Sequence, residues 1–172
     1  MDEEDLLKQL KKRAEAAYIC VDDPKTAHDF ADNAVEFIEA GAADVARVHI
    51  LRGLEIAEHS TDFVRLATVA CKTAQNMGLE DKVLGRKIFE QAVEKADGFW
   101  ELRYVADEIT RKDNLADTEW AIALYTRAEE MAENADEFDS LANAILKEPI
   151  ADKAWAARIS KKGMNTEGTE DA

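Results

Sequence analysis

Proline and glycine are scarce in this chain, which has two prolines, Pro24 and Pro149, and seven glycines among 172 residues. Because both residue types interrupt helices, their scarcity favours long helices joined by short turns. Cysteine is equally rare. Cys20 and Cys71 lie in apolar sequence surroundings without a CxxC pair, so we expect buried, reduced thiols in place of a disulfide or a zinc site.

Basic side chains are also few: 22 Lys and Arg stand against 37 Asp and Glu, which gives a net charge of −15. This charge repels nucleic-acid phosphates and anionic lipid, so neither nucleic acid nor a membrane is an expected partner. No window approaches the run of ~18 apolar residues that a membrane span needs, and the acidic residues 1–5 do not resemble a secretory signal. We therefore expect a soluble, cytoplasmic protein, and the apolar share of 47% indicates a globular one.

Patterns typical of catalysis and metal binding are missing as well. The three histidines, His28, His49 and His59, do not have the spacing of metal ligands, and His49 falls on the core face of its helix. Ser60 and Ser140 occupy positions near helix starts without a neighbouring base, and no glycine-rich loop can cradle a phosphate. The sequence therefore predicts no enzyme, no metal and no cofactor.

Helical periodicity, by contrast, runs through most of the chain. Residues at i, i+3, i+4 and i+7 share one face of a helix, and four such sets align as the first helices of four helix pairs. These sets are Phe30/Asn33/Ala34/Phe37, Phe63/Leu66/Ala67/Ala70, Leu102/Val105/Ala106/Ile109 and Phe138/Leu141/Ala142/Ile145. Caps and breakers predict helices over 4–20, 24–40, 43–59, 62–77, 81–96, 99–112, 117–134, 137–147 and 150–162.

The second helices of the pairs carry small residues at matching places. The aligned sets are Val45/Ala46/His49/Ile50/Gly53, Leu84/Gly85/Ile88/Phe89/Ala92, Trp120/Ala121/Leu124/Tyr125/Ala128 and Trp155/Ala156/Ile159/Ser160/Gly163. Small residues at the second and fifth places let two helix backbones approach closely. Gly53, Ala92 and Ala128 each precede the first core residue of the next pair by ten positions. The junction between pairs thus has a fixed length, whereas the turn inside each pair varies.

Several of these residues resemble a known repeat. Leu141-Ala142 with Ile145, followed by Ala156 in the partner helix, and Ala121 with Tyr125 and Ala128, are similar to the two halves of tetratricopeptide and Sel1-like repeats. The resemblance covers about residues 27–163, although no proline closes a unit and alanine replaces the usual first-helix glycine. It implies helix hairpins packed into a right-handed superhelix that binds peptides or helices along the wall formed by its first helices.

The resemblance also implies which side chains face a partner. That wall would present Val64, Thr68, Lys72, Trp100, Arg103, Asp107, Arg111, Asp139, Asn143 and Lys147. Trp100 beside Arg103 is the kind of pairing that anchors a binding site. A staple of Phe99 and Trp100 against Lys95 or Ala96 at the helix start explains the same residues equally well.

Basic residues are concentrated on this inferred wall, where a carboxylate-bearing peptide would find Lys72, Arg103, Arg111 and Lys147. The simpler explanation for part of the pattern is a pair between Arg103 and Asp107 within one helix. Both explanations stay open at this stage.

Taken together, the sequence predicts one all-α domain over residues 1–163 and a disordered acidic tail over 164–172. The domain is a right-handed α-solenoid of about four stacked hairpins, with helix 4–20 as an N-terminal cap. The expected function is a non-catalytic protein–protein interaction adaptor that binds a peptide or helix. The alternatives are a self-associating structural protein, exposing Trp155 and Ile159 at its end, and an acidic regulator that sequesters a basic partner.

Overall fold

The computed structural model of the protein describes residues 23–167. These residues form eight α-helices and no β-strand, so the predicted all-α class is confirmed for them. The helices are α1 (Ala27–Glu39), α2 (Ala43–Ile56), α3 (Ser60–Cys71), α4 (Lys82–Lys95), α5 (Phe99–Thr110), α6 (Thr118–Met131), α7 (Ala135–Ile145) and α8 (Lys153–Glu167), with a 3₁₀ turn at Ala74–Asn76. The predicted helix 4–20 and Cys20 lie outside the described residues. Within them, every helix is too short or too polar to cross a membrane.

The last helix is longer than predicted. The sequence indicates a helix to residue 162 and an unstructured tail from 164, whereas α8 continues to Glu167. Gly163 lies against α7, where a Cβ on this glycine would be 3.0 Å from Cβ of Phe138. The Thr166 hydroxyl donates a hydrogen bond to the Gly163 carbonyl at 2.7 Å. These local contacts extend the helix beyond its apolar periodicity, and residues 168–172 lie outside the described part.

The chain divides into two compact units, one up to Ala92 and one from Val93 onward. In the first unit α1 packs on α2, and both helices pack on α3. In the second unit α5 packs on α6, α7 packs on α8, and α7 also contacts both α5 and α6. In each unit, therefore, both helices of one pair contact the first helix of the pair that follows.

The residues predicted as core are buried within each unit. Every position of the four first-helix sets is buried except Phe30, which is half-buried. A Cβ on Gly53 would be 3.0 Å from Cβ of Phe30, which matches the distance between Gly163 and Phe138. At Gly53 a Cβ would also be 2.8 Å from Leu66 Cδ2, so a larger side chain at either glycine would have to displace its neighbours.

The turns inside the pairs differ in length but close in the same way. In each turn, the backbone N–H of the residue just before the second helix donates a hydrogen bond to a carbonyl of the first helix, that of its last core residue. These bonds are Ala42 to Phe37 and Asp81 to Ala70, both at 2.8 Å, and Asp117 to Ile109 and Asp152 to Ile145, both at 3.2 Å. The preceding residue has a positive φ each time: 76° at Gly41, 57° at Glu80, 55° at Ala116 and 48° at Ala151. This backbone conformation suits glycine and strains the other three residues.

Acidic side chains fix the starts of the first helices. The carboxylate at the third helical position accepts a hydrogen bond from the backbone N–H four residues earlier, at 3.0 Å for Asp29, 3.1 Å for Asp62, 2.9 Å for Glu101 and 2.7 Å for Glu137. Donors at a helix N-terminus have no partner inside the helix, so these carboxylates stabilise it. Helix α1 consequently begins after a Thr26 cap rather than at the predicted residue 24.

Candidate functional site

A cleft of about 200 Å³ opens in the second unit. It lies between the C-terminal half of α5, the middle of α6, and the end of α7 with the turn that follows it. Ala144, Pro149 and Ile150 provide apolar wall, and Arg111 and Lys147 provide positive charge. The other lining side chains are polar or acidic, Asp107 and Glu148 among them, so the cleft is small and mainly polar with one apolar side.

Tyr125 of α6 reaches the cleft with its hydroxyl group, although most of the side chain is buried. The hydroxyl donates a short hydrogen bond to Asp107 Oδ1, and Arg103 donates to Asp107 Oδ2 at 2.9 Å. Burial, together with the hydrogen bond to Asp107, raises the pKa of Tyr125 far above its usual range, so the phenol stays protonated. The Asp107 carboxylate is thus held by two donors and presents an ordered polar group to the cleft.

The positive side chains in the cleft differ in their partners. The Arg111 guanidinium lies 3.1 Å from Glu108 Oε1, while Lys147 makes no ion pair among residues 23–167. Glu108 is itself held by the buried Asn114, whose amide donates to its carbonyl at 2.9 Å and to Oε2 at 3.2 Å. Arg111 is therefore oriented through a buried chain of contacts, whereas Lys147 is an exposed cation without such a contact among the described residues. Sequence reasoning missed Glu108 and Asn114, because nothing local indicates that they are buried together.

Trp100 lies on the same helix, two to three turns before Arg111. Its side chain is 51% exposed, and its ring stands edge-on to Phe99 with the centroids 5.0 Å apart. The Arg103 guanidinium lies 5.8 Å from the Trp100 ring centroid and also binds Asp107. The predicted pair of Arg103 with Asp107 is confirmed, and the same arginine links the exposed indole to the polar group at the cleft.

The structure brings together three predicted site residues and separates the others. Asp107, Arg111 and Lys147 line the cleft, with Trp100 and Arg103 on the approach to it along α5. Asp139 and Asn143 are exposed on α7 but do not line the cleft.

The predicted residues of the first unit have a different environment. Val64 is 1% exposed and Thr68 is 9% exposed, while Lys72 is half-buried just after α3. Helix α3 is buried on nearly all sides, because it packs on α1 and α2 and closely approaches α4. Val64 and Thr68 therefore do not form a surface that a partner reaches, in contrast to the implication of the resemblance.

Sequence reasoning also missed part of the cleft itself. Tyr125 counted only as a core residue, and Pro149 only as a helix breaker. The available signal was weak, since a tyrosine at a core position needs a partner for its hydroxyl group when buried. The proline in Lys147-Glu148-Pro149 indicates a turn, but the sequence does not tell which helices this turn lies against.

The residues suspected of self-association are not exposed. Ile159 is fully buried, and the half-buried Trp155 donates its indole N–H to Glu129 at 2.7 Å. Neither side chain provides the apolar end surface that the structural alternative assumed.

His49 lies between two aromatic rings of α1, with its centroid 4.7 Å from Phe37 and 5.7 Å from Phe30. Its predicted place on a core face is correct, but Nδ1 is buried and has no hydrogen-bond partner among the described residues. Desolvation lowers the pKa of His49. A half-buried neutral imidazole against aromatic rings is a packing residue.

Among residues 23–167, no group of three or more His, Cys, Asp or Glu side chains is arranged to hold a metal ion. Cys71 is buried and forms no disulfide bond with any residue in 23–167. No known protein family, curated protein or solved structure matches the chain.

Proposed function

We propose that the protein is a cytoplasmic, non-catalytic adaptor that binds a peptide or helix of another protein, with the cleft of the second unit as its anchor. The organisation we propose is a tetratricopeptide-like, right-handed α-solenoid in which the first helices form the binding wall. No cofactor or metal takes part. The single observation that carries the proposal is the cleft, where oriented charges lie next to three apolar side chains, with an exposed tryptophan farther along α5.

The proposal of a solenoid is supported by local geometry that recurs along the chain. Four turns close with the same hydrogen bond and the same positive φ, and four first helices carry the same acidic cap. In both units the helix pairs also contact each other in the same order. Repeated local geometry of this kind is typical of proteins in which each hairpin packs on its neighbours along the chain.

The proposal of peptide binding is supported by the chemistry of the cleft. Ala144, Pro149 and Ile150 favour an apolar side chain, because burying apolar surface contributes about 25 cal/mol per Å². Lys147 has no ion-pair partner among the described residues and favours a carboxylate beside that side chain. Trp100 extends the surface along α5, and exposed tryptophan and arginine are enriched among residues that dominate binding energy. The ligand we propose is a segment with an apolar anchor flanked by an acidic residue.

A peptide library tests this proposal. The full-length chain is panned against random 12-residue peptides displayed on phage, and an enriched peptide is then titrated by fluorescence anisotropy. We expect an apolar residue next to Asp or Glu in the enriched peptides. The double variant Arg111→Glu/Lys147→Glu is expected to weaken binding by about tenfold or more, because an attractive charge becomes a repulsive one.

The matched control is Lys87→Glu/Lys112→Glu, which changes the net charge equally at exposed lysines that do not line the cleft. It is expected to leave binding within about twofold, which a purely long-range charge effect would not do. Circular dichroism verifies that both variants keep their helices. Failure to enrich any peptide, or equal weakening by both double variants, would contradict a binding role for the cleft.

A further inference from the structure

The outer face of α8 carries positive charge in an acidic protein. Lys153, Ala157 and Lys161 follow one another at intervals of four residues, so they lie along one exposed stripe of the helix. Arg158 is also exposed, and no acidic residue occurs between 153 and 166. Lys153 and Lys161 make no ion pair among the described residues. A solvated helix face in this chain usually mixes both signs of charge, whereas this one has a single sign.

Two neighbouring cations show how α8 is fixed in place. Arg158 donates to Glu129 Oε2 at 3.1 Å, Lys162 donates to Glu129 Oε1, and Trp155 donates its indole N–H to the same carboxylate. Glu129 is 8% exposed, whereas the Arg158 and Lys162 side chains are about half exposed, so only the carboxylate side of these pairs is shielded from water. The single negative charge of Glu129 balances only one of the two cations that it binds, Arg158 and Lys162. Helix α8 therefore keeps an excess of positive charge, to which Lys153 and Lys161 of the stripe contribute.

The same stripe is the place where another helix pair would dock. Gly163 contacts Phe138 as Gly53 contacts Phe30, so α8 lies on α7 in the register of α2 on α1. In that register Ala157 of α8 corresponds to Arg47 of α2. The Arg47 guanidinium forms an ion pair at 2.7 Å with Asp81, the residue directly before α4, which is the second helix of the next pair.

A similar correspondence relates α8 to α6. Met164 corresponds to Glu129 of α6, whose carboxylate binds the following helix α8. Met164 is 73% exposed and Ala157 is exposed, so the positions that receive a following pair elsewhere are uncovered on α8. The small Ala157 between the long side chains of Lys153 and Lys161 forms a shallow groove into which the side chains of another helix can pack.

We propose that this face of α8, defined by Lys153, Ala157, Lys161 and Met164, docks an acidic amphipathic helix of a protein partner. The partner helix places an apolar seam on Ala157 and Met164 and carboxylates opposite the two lysines. These lysines are eight residues apart, which is about 12 Å along the helix, so the matching carboxylates are separated by about two turns. The surface is distinct from the cleft, and the protein thereby holds two ligands at once.

A protein helix suits this surface better than a lipid membrane or a nucleic acid. The stripe offers only small apolar area at Ala157 and Met164, too little to insert into a bilayer. A net charge of −15 repels every anionic ligand at long range, and it repels the dense charge of anionic lipid or nucleic acid more than a helix with a few carboxylates. A partner helix needs only local charge complementarity, which is screened less when the surfaces are in contact.

A designed peptide tests the proposal. The probe is a fluorescein-labelled 20-residue helical peptide with glutamates eight residues apart beside a Leu/Ala seam, titrated with the full-length chain by fluorescence anisotropy. We expect saturable binding that weakens by about tenfold or more in the Lys153→Glu/Lys161→Glu variant. The matched control Lys82→Glu/Lys87→Glu carries the same charge change at exposed lysines of α4 and is expected to bind within about twofold of the unaltered chain.

Other outcomes are decisive as well. Equal weakening by both double variants, equal binding of a peptide with lysines in place of the glutamates, or binding to anionic vesicles in preference to the peptide would overturn the proposal. So would a concentration-dependent mass in sedimentation velocity that disappears in Lys153→Glu/Lys161→Glu, because it would identify a second copy as the occupant. The cleft variant Arg111→Glu/Lys147→Glu is expected to bind the helical peptide normally, which separates this proposal from the proposed function of the cleft.

Discussion

At the scale of single residues, Glu129 shows how one buried carboxylate joins two helices. Burial by itself would raise the pKa of Glu129, but the donors Lys162, Trp155 and Arg158 outweigh it and lower the pKa. The charged form is therefore the stabilised one. Its contribution is present above the ordinary pKa of a glutamate and is lost as the pH falls through the lowered pKa.

We predict that Glu129→Gln lowers the free energy of unfolding by about 1–3 kcal/mol at pH 7, since two half-exposed cations lose their shared partner. Urea unfolding measures the loss, and the gap to the unaltered protein is expected to shrink in acid, where Glu129 is itself protonated. The neighbouring Glu130→Gln, at an exposed position, is the control and is expected to change stability by less than about 0.5 kcal/mol. A gap that persists unchanged in acid would contradict the assignment.

His49 has the opposite pH dependence. Desolvation between Phe30 and Phe37 lowers its pKa, so the folded protein favours the neutral imidazole. Stability is expected to be full above the ordinary histidine pKa of about 6.5 and to decline as the pH falls from there towards the lowered pKa. The variant His49→Leu removes this decline, as the difference between urea titrations at pH 7.5 and 5.5 measures.

The control for His49 is His59→Asn, which removes an exposed imidazole but keeps a side chain suited to the start of α3. It is expected to retain the decline between the two pH values. A decline of the same size in His49→Leu would show that other groups cause it.

At the scale of helices and turns, the positive φ before each second helix has a measurable cost. Gly41 adopts this conformation freely, whereas Ala116 and Ala151 adopt it with strain. We predict that Gly41→Ala lowers the free energy of unfolding by about 1 kcal/mol, and that Ala116→Gly raises it by up to about 0.5 kcal/mol. Ala132→Gly, at an ordinary φ of −69°, is the control and is expected to lower stability. The same sign for both Ala→Gly variants would contradict strain in the turn.

The contact between α3 and α4 depends on a missing side chain. A Cβ on Gly85 would come within 2.1 Å of the Cys71 sulfur, but only within 3.3 Å of the next nearest atom, the Ala67 carbonyl oxygen. We predict that Gly85→Ala lowers stability by about 1–3 kcal/mol through overpacking. In a Cys71→Ala background the sulfur is gone, and the same change is expected to cost less or to stabilise, because alanine favours a helix over glycine.

A thermodynamic cycle of the four proteins isolates this interaction. Additive effects of the two substitutions on the free energy of unfolding would show that the cost of Gly85→Ala does not come from a clash with the Cys71 sulfur. Near-UV and far-UV circular dichroism verify that the four proteins share a fold.

At the scale of the whole molecule, the net charge of −15 opposes folding through repulsion among carboxylates. Salt screens this repulsion. It also weakens surface pairs such as Arg65–Asp32, but such pairs contribute only about 0–1 kcal/mol each. We predict that raising NaCl from about 20 to about 300 mM raises Tm by a few degrees, as measured by calorimetry.

The control for the salt effect is a variant in which four exposed glutamates, Glu36, Glu39, Glu90 and Glu130, become glutamine. Its net charge is smaller, so its Tm is expected to respond less to salt. A Tm that falls with salt in the unaltered protein would mean that its attractive pairs outweigh the repulsion.

The predicted helices agree with the structure because their signals are local. Core positions such as Leu102 and Ile109 recur at the helical period, and most helix bounds fall within about three residues of the predicted ones. The acidic caps are a local signal too, of which the sequence analysis uses only part. Asp29, Asp62 and Glu137 each directly precede a phenylalanine of the core, which identifies the helix start better than the proline at position 24.

The sequence by itself determined the all-α class, most helix bounds to within about three residues and the buried faces, because each depends on hydrogen bonds and side-chain spacing within a few turns of one helix. Only the tertiary structure decided which polar residues meet. The cleft joins Asp107, Tyr125 and Lys147 from three separate helices or their ends, and α3 buries Val64 and Thr68 among its neighbours. Distances between helices depend on how whole faces pack, and the spacing of residues within one helix does not encode them.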